Sequence, residues 1–464
     1  MEKFLLAILI GVSINTVAYS QTTFSAKQPI NIATGDAPFV IDSGNLDADA
    51  FADIVIGTNL GDTVEWYKNN GDGTFTMQPL IANDIIECGG VTIADLNNDG
   101  FNDILASNFG DDELVWFEND GFGNFATEQI ISTGIDGSSG IVTGFIDAGT
   151  TIDVAVVGFN SGDTVWFSND GFGTFSGPNT IESIPGSGPG NLDLADFDGD
   201  GDNDIVLMNS GIGTVELYYN NLIPSGTVSF TKDVNTVTSG EVYPFDASFG
   251  DVDDDTNLDI VVVDLYGGTS GLGWYKKEID GTFSETILTT TITAPATAMV
   301  EDMDNDGYND IVLSSGANGA GTDIVWFRST ASGTFGSEII IDNTQSQTYA
   351  FTLNDLDNDG DIDITNIAYN DDDLNWFENE LITLSLNDQT EESISFYPNP
   401  TSSKLNFKGL FSDATEVSVF DILGKEIVST KIDSSSSLDV SNLENGTYIL
   451  KFKNYDTIIK FVKE

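Results

Sequence analysis

The sequence predicts an all-β chain: a seven-bladed β-propeller followed by a small C-terminal β-sandwich. Three observations carry this. An acidic segment ending in a β-branched run recurs seven times, at spacings of 50, 50, 51, 55, 51 and 53 residues. An aromatic pair and a Gly-x-Phe marker recur in phase with it. The chain then changes character after residue 394, where eight of its 15 Lys+Arg are concentrated. A fixed period of this length marks a repeat architecture, and four strands in roughly 50 residues mark a propeller blade.

The elements follow in chain order. Residues 1–20 read as a secretory signal peptide: Lys3 precedes an apolar run, Phe4 to Val12, too short to span a bilayer. Ala18-Tyr19-Ser20 places small residues for cleavage before Gln21. No other segment has 18 consecutive apolar residues, so no transmembrane segment is expected.

The repeat fills residues 21–380. Its acidic segments are NLDADAFADIVI (45–56), DLNNDGFNDILA (95–106), FIDAGTTIDVAV (145–156), DFDGDGDNDIVL (196–207), DVDDDTNLDIVV (251–262), DMDNDGYNDIVL (302–313) and DLDNDGDIDITN (355–366). The aromatic pairs are Trp66-Tyr67, Trp116-Phe117, Trp166-Phe167, Leu217-Tyr218, Trp274-Tyr275, Trp326-Phe327 and Trp376-Phe377. Inner blade strands are covered on both faces, so these rings are expected in the core. The seventh unit ends at Glu380 without a Gly-x-Phe strand, and residues 22–30 supply a matching one. The N-terminal strand is therefore expected to close the last blade, which leaves no open ring edge.

The acidic loops read Asp-x-Asp/Asn-x-Asp-Gly-x-x-Asp. Oxygen side chains at alternating positions can wrap one hard cation, with the position-7 carbonyl as a further ligand and Gly at position 6 for the sharp turn. The fourth loop offers Asp196, Asp198, Asp200, the Asp202 carbonyl and Asp204. The fifth offers Asp251, Asp253, Asp255 and Asp259, and the sixth Asp302, Asp304, Asp306 and Asp310. The seventh offers Asp355, Asp357, Asp359 and Asp363, and the second Asp95, Asn97, Asp99 and Asp103. The first has Asn45, Asp47, Asp49 and Asp53, with Ala50 in place of Gly. In the third, Phe145 and Gly149 replace two ligands, so it is expected to stay empty. About six Ca²⁺ sites are expected in all. These are not EF-hands, because position 12 is never Glu and falls inside a strand.

These loops and their spacing resemble FG-GAP/VCBS repeat proteins, whose calcium-loop propeller also occurs in integrin alpha chains and some secreted lectins and lyases. The likeness covers residues 22 to 380. It departs at Ala50, at Thr256 in place of Gly, in the third loop, and at Leu217 in place of Trp.

Leu381 to Ile394 reads as a linker. Beyond it come YPNP (397–400), VSVFDILGKEIV (417–428), LDVSNLENGTYILKF (438–452) and IIKFVKE (458–464), with strands predicted at Lys404–Phe407, Val417–Asp421, Thr447–Phe452 and Thr457–Val462. Residues 395–464 resemble the type A C-terminal sorting domain of the Bacteroidetes type IX secretion system. The resemblance implies export through that machinery and a secreted or outer-surface location.

Composition then limits function. The 464-residue chain has 75 Asp+Glu, a formal net charge of -60 and no His. The charge rules out a nucleic-acid partner as the default, since such a partner needs a basic face. Ser-His-Asp triads, HExxH zinc sites and imidazole bases are excluded outright. Cys88 stands alone, so it forms no intramolecular disulfide and is expected to be a small buried residue. The leading expectation is a monomeric calcium-binding module for a glycan or protein ligand, without catalytic residues. The propeller's few cations argue against polyanionic ligands. The alternative is a polysaccharide-active enzyme, a glycoside hydrolase or lyase using paired carboxylates.

Overall fold

The computed structural model describes residues 23–464, apart from 48, 267–270, 290–291, 317–322, 381–394, 409–414, 422–424, 433–436 and 453–454. The predicted signal peptide and linker lie outside the described residues. The chain divides into two compact units, Met1–Ile382 and Thr383–Glu464.

Among the described residues the first unit holds seven antiparallel sheets on one plan. The second sheet shows it, pairing Cys88–Ala94, Asp103–Asn108, Glu113–Phe117 and Gln129–Ser132 in chain order. The acidic loop joins its first two strands. Every residue of Asp103–Asn108 is buried. A strand covered on both faces has no reason to alternate, which accounts for the unbroken Ile-Leu-Ala run. The fourth sheet departs from the plan. A four-residue helical turn, Leu222–Ser225, precedes its outer strand, and Thr238–Ser239 adds a further short pairing.

The seventh sheet takes strands from both ends of the unit. Phe351–Asn354, Asp363–Ala368 and Asp373–Phe377 pair in order, and Gln28–Asn31 pairs onto Asp373–Phe377. Phe24 bridges to Asn379, and the Glu380 N–H donates to the Thr23 carbonyl at 2.7 Å.

Hydrophobic clusters lie between successive sheets. Val55, Val64 and Trp66 of the first pack with Ile104, Val115 and Phe117 of the second. Equivalent clusters join each later sheet to the next. Ile54, Ile56 and Tyr67 then pack with Ile367 and Leu374 of the seventh sheet. All six Trp are core residues, 3% to 8% exposed. The Gly-x-Phe ring of one sheet packs edge-on against the Trp of the sheet before it. Phe125 meets Trp66 at 5.7 Å, Phe175 meets Trp116 at 6.4 Å and Phe75 meets Trp376 at 6.0 Å. Phe24 meets Trp326 at 5.9 Å and so supplies the same contact for the seventh sheet. The Gly of the motif is required twice over at Gly123. Its φ is +73°, and a Cβ there would lie 2.0 Å from the Trp66 ring.

The second unit packs two sheets around Leu405, Val417, Val419, Leu438, Leu450 and Phe461. One pairs Ser395–Tyr397, Lys404–Lys408 and Ser437–Asp439; the other pairs Glu426–Ile432, Thr415–Asp421, Gly446–Phe452 and Tyr455–Lys463. Ser395–Tyr397, Glu426–Ile432 and Ser437–Asp439 are strands in addition to the four predicted.

Candidate metal sites and a central cavity

Each loop is shaped by its own carboxylates. Asp302 accepts the N–H groups of Asp306 at 3.0 Å and Gly307 at 2.8 Å, and Asp95, Asp251 and Asp355 close their loops the same way. Position 6 lies in the left-handed region, with φ +90° at Gly100, +99° at Gly201, +89° at Gly307 and +96° at Gly360. Thr256 holds it too, at +71°, despite its branched side chain.

Four loops gather three carboxylates whose ligand oxygens all lie within 4.8 Å of one another. They are Asp196, Asp198 and Asp204; Asp251, Asp253 and Asp255; Asp302, Asp304 and Asp306; and Asp355, Asp357 and Asp359. Asp196 Oδ1 and Asp202 Oδ1 are buried without a hydrogen-bond partner. An all-oxygen donor set of this density fits a hard divalent cation. The first and second loops carry Asn45 and Asn97 among their donors and form no such triple of carboxylates among the described residues. Asn45 instead donates to the Asp49 carbonyl.

The ninth-position Asp residues are placed differently from the rest. Asp103 is fully buried. Its Oδ2 accepts the Leu96 N–H at 3.1 Å and its Oδ1 the Asn119 N–H at 2.8 Å. Asp53, Asp153, Asp204, Asp310 and Asp363 accept the matching pairs of N–H groups. Of the ninth-position residues, only Asp204 also joins a carboxylate triple. These side chains staple each loop to the third strand of its own sheet. Burial pushes Asp53 up to about 6 and Asp103, Asp204, Asp310 and Asp363 up to about 7, against the pull of the backbone bonds.

Two further sets of residues were not singled out from the sequence. The first is an Asn two places after the aromatic pair. Asn119 Nδ2 donates to the Leu46 carbonyl of the preceding sheet's loop at 2.8 Å. Asn69, Asn169, Asn220 and Asn379 make the same bond to Leu356, Leu96, Ile146 and Met303. Its signal was the spacing, which runs in phase with the Trp. The second is the residue immediately after the pair. Lys68 forms ion pairs with Asp47 and Asp49, Lys276 with Asp253 and Asp255, and Arg328 with Asp304 and Asp306.

The innermost strands of the sheets enclose a cavity of about 870 Å³. Phe39, Phe109, Phe159, Tyr243, Phe245 and Tyr349 line it. Tyr349 packs against Phe39 at 5.7 Å, Phe245 at 5.7 Å and Tyr369 at 5.5 Å. Phe39 and Phe245 lie near the N-terminal ends of their strands, and the acidic loops follow the C-terminal ends. Among the described residues its charged lining is Asp42, Glu87, Asp193, Asp246 and Glu301, with no Lys or Arg. Asp246 Oδ2 accepts the Ala298 N–H at 3.1 Å and its Oδ1 the Asn191 amide at 3.0 Å. Cys88 is buried, its thiol pushed up to about 12 by desolvation.

Comparison with known proteins follows these boundaries. Residues 45–106, 95–148, 150–207, 196–262, 251–313 and 302–365 match the FG-GAP-like repeat. Residues 395–464 match the secretion system C-terminal sorting domain, which directs export by type IX secretion to the cell surface or extracellular space. No curated protein matches the chain. Similar solved structures include virginiamycin B lyase from Staphylococcus aureus, at 14% identity over 77% of this chain and 99% of that one, with a TM-score of 0.50. BBS1N, solved in complex with ARL6DN, is 12% identical over 79% of this chain and 99% of its own, with a TM-score of 0.51. An Agrocybe aegerita lectin that recognises non-reducing terminal N-acetylglucosamine is 19% identical over 67% and 81%, with a TM-score of 0.47. At these identities the likeness concerns the fold.

Proposed function

Because this chain belongs to the FG-GAP-like repeat family, we propose that it is an exported, calcium-binding seven-bladed propeller that captures a neutral glycan in its central cavity. The cavity carries this reading. It combines a wall of aromatic rings with no basic lining residue. Aromatic faces suit the C–H faces of a sugar ring, and an acidic wall without Lys or Arg repels polyanions. Asn59 and Ser139 also line it and bring polar groups to that wall. Such pockets bind through a few polar groups set in an apolar wall.

Calcium has a separate role in this reading. The carboxylates of the loops would hold it at the ends of the inner strands away from the Phe39 and Phe245 rings. Bound only to the folded state, it stabilises the ring by mass action. The chain's own residues shape the binding surface, and catalysis has no part in it.

A glycan array probed with the secreted chain tests the proposal. Binding to one class of neutral glycan is expected, weakened at least tenfold by Tyr349→Ala. No binding, or binding untouched by that variant, refutes the cavity as the site. Turnover of the bound glycan would replace this reading with the polysaccharide-active enzyme.

A further inference from the structure

The residue that follows each aromatic pair occupies one register position in all seven sheets. In register, Ile54 pairs with Tyr67, Ile104 with Phe117, Ile260 with Tyr275, Ile311 with Phe327 and Ile364 with Phe377. The next residue along the third strand is then Lys68, Glu118, Lys276, Arg328 or Glu378. The third and fourth sheets place Ser168 and Tyr219 there.

We propose that this residue decides whether its loop takes a divalent ion: loops one, five and six are neutralised by the chain's own cation, and loops two, four and seven are the ion sites. The inference rests on the calcium reading above and divides its six expected sites into two classes. Lys68 Nζ contacts Asp47 and lies 2.8 Å from Asp49, the third and fifth positions of the first loop. Lys276 Nζ contacts Asp253 and lies 2.5 Å from Asp255. Arg328 contacts Asp304, which is fully buried, and lies 3.2 Å from Asp306. In each case the cation bridges the carboxylates that a metal would need. A Ca²⁺ among the same oxygens would sit a few ångströms from a like charge, in a partly buried site where screening is weak. Two of the four carboxylate triples, in the fifth and sixth loops, are among those already bridged.

Among the described residues no cation bridges two carboxylates of the other loops, although Lys277 lies within electrostatic reach of Asp198 in the fourth. Glu118 reaches the second loop, where its Oε1 accepts from Asn97 Nδ2 at 3.4 Å. It adds an oxygen donor where the loop has an amide in place of a carboxylate. Glu378 occupies the position beside the seventh loop. Tyr219 turns to Asp233, whose Oδ2 accepts its hydroxyl at 3.0 Å, and Lys277 also pairs with Asp233, at 2.6 Å. The fourth-loop triple thus keeps its oxygens, with Asp196 Oδ1 unpartnered. In the third loop Ser168 Oγ donates to Asp147 at 2.7 Å, which agrees with an empty loop.

Native mass spectrometry of the full chain in calcium counts the ions directly. Three ions are expected on the wild type. Lys68→Met, Lys276→Met and Arg328→Met should each add one, and Glu118→Lys should remove one. Circular dichroism confirms that each variant is folded, and the gain-of-ion variants do not depend on the loss variant surviving. Six ions on the wild type, or counts that the three cation removals leave unchanged, overturn the inference and leave calcium binding standing. No ion on any variant overturns the calcium reading itself.

Discussion

Replacing Asn119 by Ala removes the amide that ties the second sheet to the first. The side chain is 1% exposed. Its Nδ2 donates to the Leu46 carbonyl at 2.8 Å and to the Asn102 carbonyl at 2.8 Å, and its Oδ1 accepts the Gly121 N–H at 3.1 Å. A typical internal hydrogen bond contributes about 1 kcal/mol net, and a buried group left without a partner costs about 1–3 kcal/mol. Two carbonyls and one N–H lose this partner together, in a place where Ala admits little water. The expected loss is therefore about 3 kcal/mol. Urea unfolding followed by Trp fluorescence is the assay. All six Trp lie between Trp66 and Trp376, so the signal reports on the first unit. The midpoint should fall at unchanged slope, which assigns the change to stability. It should fall equally with calcium present or chelated, because the latch acts through backbone carbonyls. Asn70→Ala is the control: its side chain bonds only exposed Thr hydroxyls and should cost under about 0.5 kcal/mol. A loss for Asn119→Ala no larger than that of the control would refute the latch.

Two further outcomes follow from backbone strain and from burial. Thr256 holds φ +71° where four other loops use Gly. Thr256→Gly should stabilise the unit by about 1 kcal/mol in the same urea assay, and Gly307→Thr, with open space around it, should cost a similar amount. No gain from the first substitution would remove the strain argument. Asp246 is held up to about 6 by desolvation, against the bonds from Ala298 and Asn191. The folded state therefore keeps its proton longer than the unfolded state does. Stability from this group is complete below pH 3.8 and is lost as pH rises through 6. A shift of about two units amounts to about 3 kcal/mol. Asp246→Asn should gain on the wild type by about that much between pH 4 and pH 6, read as the difference between melting curves. Parallel curves would show that Asp246 is ionised in both states.

The repeated sheets were legible because several of their contacts demand a particular side chain. Only Gly fits under Trp66 at position 123, and only a ring fills the edge that Phe125 presents to it. Such residues recur wherever the geometry recurs. The Asn latch obeys the same period, yet Asn beside Gly and Asp is also what an ordinary turn requires, so its cross-sheet bond had no local signature. The cavity was invisible for another reason. Phe39, Phe245 and Tyr349 share one repeat position, six residues before their loops, but Gly89, Ser139, Gly190 and Ala296 hold that place elsewhere, so no motif stands out, and the rings meet only when different sheets converge on one axis. The cations were present in the sequence as single Lys and Arg residues. Their meaning depends on register, which places Lys68 beside Asp47, 21 residues earlier in the chain.

The same contrast changes what the charge of -60 means. The loop pattern counts every Asp as one more ligand. The ninth-position residue breaks that equation, because Asp153 survives in the third loop, where the first and fifth ligand positions have become Phe145 and Gly149. It survives with both of its backbone bonds intact, from Ile146 at 3.1 Å and Asn169 at 2.9 Å. A residue retained for a metal alone has no reason to outlast the first and fifth ligands, whereas one that satisfies two buried N–H groups does. Carboxylates in these loops thus serve two masters, the backbone and a cation. The chain meets part of the second demand with its own Lys and Arg. On the proposed reading, acidic loops can be numerous without each requiring calcium, and the number of ions taken up would follow the third strand as much as the loop.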